Sequence, residues 1–186
     1  LVGENQVPTL SDPTVTKDGT IVKGAKVDTE NKYIILDTCP EGITEAQFRA
    51  IINYHPENAT ADDVQLTFSK LNEFNNANRI CNGCVVTAKA VTDNGTSEEV
   101  VYTVIILGDL SGDGLVVVND IVMLVKSLQA DESKRVPLEE GAQSMAADVS
   151  QDGLVAVNDA ILIRQKINKW SMVEHKWTGE YISMVR

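Results

Sequence analysis

The sequence is poor in aromatic and basic residues, and each shortage excludes a class of function. Only 5% of its 186 residues are Phe, Trp or Tyr, and Lys plus Arg number 16 against 27 Asp plus Glu. The net charge of −11, with a pI near 4.6, argues against a nucleic-acid partner and against direct contact with an anionic membrane, because both need a basic face. Long apolar runs are missing too: nothing approaches the ~18 consecutive apolar residues of a spanning helix. A charged start followed by an apolar stretch is also lacking, and residue 1 is Leu, so a mature product or a fragment of something longer is expected. The only histidines are His55 and His175. No nucleophile pattern such as Gly-x-Ser-x-Gly, acid/base pair or open metal site can be assembled, so an enzyme is not expected.

Cysteine is sparse, at positions 39, 81 and 84. Cys81-Asn-Gly-Cys84 fits a bridge across a turn or plain packing. A thioredoxin-like pair would open a helix in a βαβ unit, whereas this one runs into the strand-like Val85-Val-Thr-Ala-Lys-Ala90. Zinc would want a fourth ligand that the chain does not supply nearby.

What is present begins with short apolar runs separated by turn signals. Residues 1–13 are polar and proline-punctuated, and read as a linker or a first edge. Thr20-Ile-Val22, Tyr33-Ile-Ile-Leu36 and the alternating Val64-Gln-Leu-Thr-Phe68 then predict strands. Cys84–Val91 and Val100–Leu107 flank Asn94-Gly95, a pair that accepts positive φ cheaply, and predict a hairpin. Thr44-Glu-Ala-Gln47 is a capping box, and Phe48, Ile51 and Ile52 follow at helical spacing. This half contains no Trp, and at least Phe48 and Phe68 fall on expected core faces, so an aromatic sugar platform lacks support.

The strongest signal is a repeat. Asp109-Leu-Ser-Gly-Asp-Gly-Leu-Val-Val-Val-Asn-Asp120 recurs 39 residues later as Asp148-Val-Ser-Gln-Asp-Gly-Leu-Val-Ala-Val-Asn-Asp159, identical at nine of twelve positions. Side-chain oxygens fall at positions 1, 3, 5 and 12, with Gly at position 6. That spacing is the calcium loop of an EF-hand, in which alternate residues aim oxygens at one point and Gly permits the bend. An amphipathic segment follows each copy: Ile121, Val122, Leu124, Val125 and Leu128 after the first, and Ile161, Leu162, Ile163 and Ile167 after the second. Both predict helices paired across a local two-fold. A third helix is expected from Pro137 to about Ala147.

Paired loop-helix units of this form, from Gly108-Asp109 to Asp120 and from Ala147-Asp148 to Asp159, resemble the dockerin family. A β-module immediately ahead of them, joined through Tyr102-Thr-Val-Ile-Ile-Leu-Gly-Asp109, is similar to the X-module that accompanies some dockerins. The resemblance covers roughly residues 102–169. It implies two domains: an N-terminal all-β immunoglobulin-like sandwich with one short helix (1–107), and a C-terminal all-α dockerin with two EF-hand-like calcium loops and a tail (108–186). It also implies two Ca²⁺ sites, ligated by Asp109, Ser111, Asp113, Asp120 and the carbonyl of Leu115, and by Asp148, Ser150, Asp152, Asp159 and the carbonyl of Leu154. Val117 and Ala156, at position 9, depart from the family in being unable to ligate.

The partner implied is a cohesin module of a scaffoldin or cell-surface anchoring protein. The contact residues would be Val118, Asn119, Val122, Val125 and Lys126 on one copy and Val157, Asn158, Ile161, Arg164 and Gln165 on the other. Near-identical contact pairs would let the partner bind in two orientations. The setting implied is an extracellular, cellulosome-like complex for polysaccharide degradation at a bacterial cell surface. Two other functions compete: a calcium-rigidified stalk or adhesin segment, and a carbohydrate-binding accessory module. The tail from Trp170 to Arg186, with both tryptophans, Tyr181 and Met184, is longer than two loop-helix units need, and folding back to staple the ends is one use for it.

Overall fold

The computed structural model describes residues 6–172. In chain order the first strands are β1 (Thr9–Leu10), β2 (Thr14–Lys17), β3 (Thr20–Ile21), β4 (Ala25–Asp28) and β5 (Tyr33–Leu36), followed by helix α1 (Glu45–Arg49). Next come β6 (Ile52–Asn53), β7 (Pro56–Glu57), β8 (Val64–Phe68), β9 (Leu71–Phe74) and β10 (Ala77–Ile80). The long strands β11 (Val85–Thr92) and β13 (Val100–Ile106) flank the two-residue β12 (Gly95–Thr96), and three helices follow: α2 (Val118–Ser127), α3 (Ala142–Ala147) and α4 (Val157–Met172).

The main sheet runs β8, β11, β13, β5, β4, with β12 folded back beside the end of β11. Its pairs are antiparallel except β13 with β5. Strict alternation on β11 buries Val86, Ala88 and Ala90 on one face. Ile34, Leu36, Val86, Ala88, Tyr102, Val104 and Ile106 meet Val15, Phe48 and Ile52, so the small β3-β2-β6 sheet and α1 close over the large one. The parallel pair is covered on its other face as well, where Ile105 and Leu107 pack with Ala146 of α3, as parallel strands require.

Two expected helices are shorter than their sequence patterns. The capping box at α1 forms, with the Gln47 backbone amide donating to the Thr44 hydroxyl and the Thr44 backbone amide to the Gln47 side-chain Oε1. The helix nevertheless stops at Arg49, because the β-branched Ile52 is taken by strand β6, opposite Val15. The helix expected from Pro137 begins only at Ala142, since Gly141 sits at φ +86°, outside the helical range.

The expected pairing of an immunoglobulin-like sandwich with an all-α calcium domain is overturned. Strand outweighs helix among the described residues, where the four α-helices have 5, 10, 6 and 16 residues. Only the second loop lies between two helices, and the one before it is short. The first is entered from β13 and the second from the six-residue α3. The three C-terminal helices do not enclose a core of their own. Leu110, Val116, Leu124, Ala147, Val149, Ala160 and Ile163 instead join the buried cluster that contains Ile34, Leu36, Val104 and Ile106. The helices complete the core of the sheet; they do not build a second one. Trp177, Tyr181 and Met184 of the tail, and His175, lie outside the described residues.

Candidate functional site

The two repeats fold alike, and hydrogen bonds show it position by position. In the first loop Asp109 Oδ1 accepts from the Asp113 amide at 3.0 Å and from the Ser111 hydroxyl at 3.4 Å, while Oδ2 accepts from the Gly114 amide at 2.8 Å. In the second loop Asp148 repeats the set with Asp152, Ser150 and Gly153 at 3.2, 3.2 and 2.9 Å. Asp113 Oδ1 accepts from the Leu115 amide, as Asp152 Oδ1 does from Leu154, both at 2.9 Å. The last loop residue serves two ends at once. Asp120 accepts from the Ser111 and Val117 amides, and Asp159 from those of Ser150 and Ala156. Each of these aspartates is also the third residue of its helix, where a carboxylate satisfies an otherwise orphaned amide and faces the positive end of the helix dipole. Gly114 and Gly153 take φ +82° and +87°, the left-handed turn that position 6 demands.

The donor set suits a hard divalent cation. It consists only of carboxylate, hydroxyl and carbonyl oxygens. Asp109 and Asp120 are fully buried. Burial pushes Asp109 up to about 6; the Asn82 and Gly114 amides pull it back, and the charges of Asp120 and Asp113 push it further. Burial raises Asp120 as well, with the Asp113 charge adding to it against the pull of the Val117 and Ser111 amides. Among the described residues, no ion pair reaches Asp109, Asp113 or Asp120, nor Asp148, Asp152 or Asp159. Gathered carboxylates outside any ion pair leave a charge that a bound ion would offset. Among the described residues no three His, Cys, Asp or Glu side chains stand as a formed cage, so an ion would have to draw the carboxylates inward.

The residues expected at a partner interface share one property: Val118, Asn119, Val122, Val125, Lys126, Val157, Asn158, Ile161, Arg164 and Gln165 are all exposed. The exposure also repeats. Val118 and Val157 are 63% and 65% exposed, and Val122 and Ile161 are 42% and 50% exposed. The equivalent inner positions, Leu124 and Ile163, are fully buried. Helices α2 and α4 pack against each other through their inner sides, so a matched apolar face is left on the outside of both.

The chain matches no protein-family model, no curated protein and no solved structure.

Several participants were missed by the sequence reading. Asn82, in the turn between β10 and β11, donates its amide to Asp109 Oδ2, and Asn72 donates its side-chain amide to the Asp113 carbonyl. Lys166 of α4 is buried and paired with Asp37. Asn82-Gly83 reads as a turn, but nothing local says which loop that turn touches. Cys81 and Cys84 flank it as buried thiols, and burial pushes Cys81 up to about 11, opposite to what a redox pair needs. Cys39 Sγ donates to the Gly42 carbonyl. No described helix is long and apolar enough to cross a membrane.

Proposed function

We propose that this chain is a calcium-dependent docking module that binds a cohesin and so anchors its parent protein in an extracellular, cellulosome-like complex. The observation that carries the reading is the repeated exposed apolar face, Val118 and Val122 on α2 with Val157 and Ile161 on α4. Scattered single valines would need no explanation, but a face reproduced in both copies above the same buried positions has the form of a contact surface. Each of these helices starts directly from its loop. An ion in the loop would therefore fix the first turn, where Val118-Asn119 and Val157-Asn158 sit. Calcium supplies charge neutralisation and loop order; the chain supplies the surface.

A second reading, a calcium-rigidified stalk, is favoured by the buried Lys166–Asp37 pair, which ties the last helix rigidly to the sheet. Capture from a panel of cohesins, with calcium or with chelator, separates the two. The docking reading expects calcium-dependent capture by at least one cohesin. Calcium-dependent stability with no capture favours the stalk.

A further inference from the structure

The two loops match in sequence and internal hydrogen bonds, yet their surroundings differ sharply. The first is enclosed. Besides the Asn82 amide at 2.9 Å from Asp109 Oδ2 and the Asn72 amide at 2.8 Å from the Asp113 carbonyl, the Val116 amide donates to the Pro40 carbonyl at 2.8 Å. Gly114 lies so close to Gly42 that a Cβ on Gly42 would stand 1.8 Å from its carbonyl oxygen. At the second loop Gln151, Asp152, Gly153 and Leu154 are exposed, and nothing lies within 4 Å of the Cβ position of Gly153. A cleft of about 190 Å³, lined by Ile35, Ile105, Leu107 and Met145, opens beside Asp148, Gln151 and Gly153. Among the described residues, no donor from beyond its own repeat reaches the Asp148 carboxylate as the Asn82 amide reaches that of Asp109.

Asn82 is itself held from three sides. Its Oδ1 accepts from the Ile106 amide at 3.0 Å, its Nδ2 donates to the Ala142 carbonyl at 2.9 Å, and the next amide, Gly83, donates to Val104. The side chain thus pins the turn whose backbone amide grips Asp109.

We propose that Asn82 is a positioning residue for the first cation loop, and that it makes the two loops unequal, so that the first ion is retained and the second exchanges. The inference rests on the calcium reading above. Release from the first loop requires the β-region to let go, whereas the second opens straight to solvent. Lys70 works the other way: its ammonium stands 2.6 Å from the Cβ position of Gly112 and its charge opposes an ion there. Lys70 is exposed, so solvent screens that repulsion, and enclosure outweighs it.

The test is stopped-flow release of Ca²⁺ from the full chain into a fluorescent chelator. Two phases of equal amplitude are expected, with Asp152→Ala removing the fast one. Asn82→Ala should speed the slow phase about tenfold, the low end of the usual effect of removing an outer-shell partner, and leave the fast phase alone. Should that variant not fold, Asn72→Ala should move the slow phase in the same direction by less. A merely structural role would lower calcium-free stability and speed both phases alike, and that result overturns the proposal. Two ions leaving in one phase overturn it while sparing the calcium reading; no calcium binding at all removes both.

Discussion

The Lys166 ammonium lies 2.5 Å from the Asp37 carboxylate, with both side chains almost wholly out of solvent. Lys166 also donates to the Leu107 carbonyl at 3.1 Å, so one buried charge joins α4 to the ends of β5 and β13. Removing one member leaves the other buried without its partner, which typically costs about 3–5 kcal/mol. Lys166→Met should therefore lower stability by about that amount. Adding Asp37→Leu should recover much of the loss, because an apolar pair of similar volume is often nearly neutral. Denaturant midpoints of the single and double variants check this; equal stability of wild type and Lys166→Met would remove the pair from the account.

Calcium should stabilise the fold by mass action. A single site at a hundredfold excess over its dissociation constant contributes about 2.7 kcal/mol. The thermal midpoint should rise with added calcium, fall back with chelator, and respond less in Asp113→Ala or Asp152→Ala. Identical melting curves in calcium and chelator would count against ion binding by either loop.

Cys81 and Cys84 should resist alkylation in the folded protein. Burial pushes Cys81 up to about 11 and raises Cys84 in the same direction, so at pH 8 both are thiols with no exposed sulfur. The thiolate is the reactive form, and it gains ground only as pH climbs toward 11 or as the chain opens. Mass spectrometry after iodoacetamide should find both unmodified in native protein and both modified in denaturant. Rapid native labelling at pH 8 would contradict the burial described for this turn.

The repeat was legible because its information is local. Twelve residues fix the position-6 turn, and Asp120 and Asp159 reach back only to amides nine and three residues away. Strand periodicity along Val85–Ala90 was legible for the same reason. The fold class was misread where locality ends. Leu124 and Ile163 sit on apolar stripes that look self-sufficient, and no pattern in the helices announces that they share a core with Ile34 and Ile106. Asn82 with Asp109, Asn72 with Asp113 and Lys166 with Asp37 join residues distant in the chain, as single polar side chains without periodicity. The β-branched Ile52 fits a helical stripe and a strand equally well, and its pairing with β2 decided between them.

The affinity for a cohesin captured by the panel, measured by calorimetry in calcium, tests the central claim most directly. Val118→Asp and Val157→Asp place an acid at the first position of a helix, where it does not harm the helix, so loss of binding would report on the surface. The account predicts that each single variant binds nearly as wild type, through the other copy, that the double variant does not bind, and that chelator abolishes binding by all of them. A double variant that still binds as wild type does would contradict it.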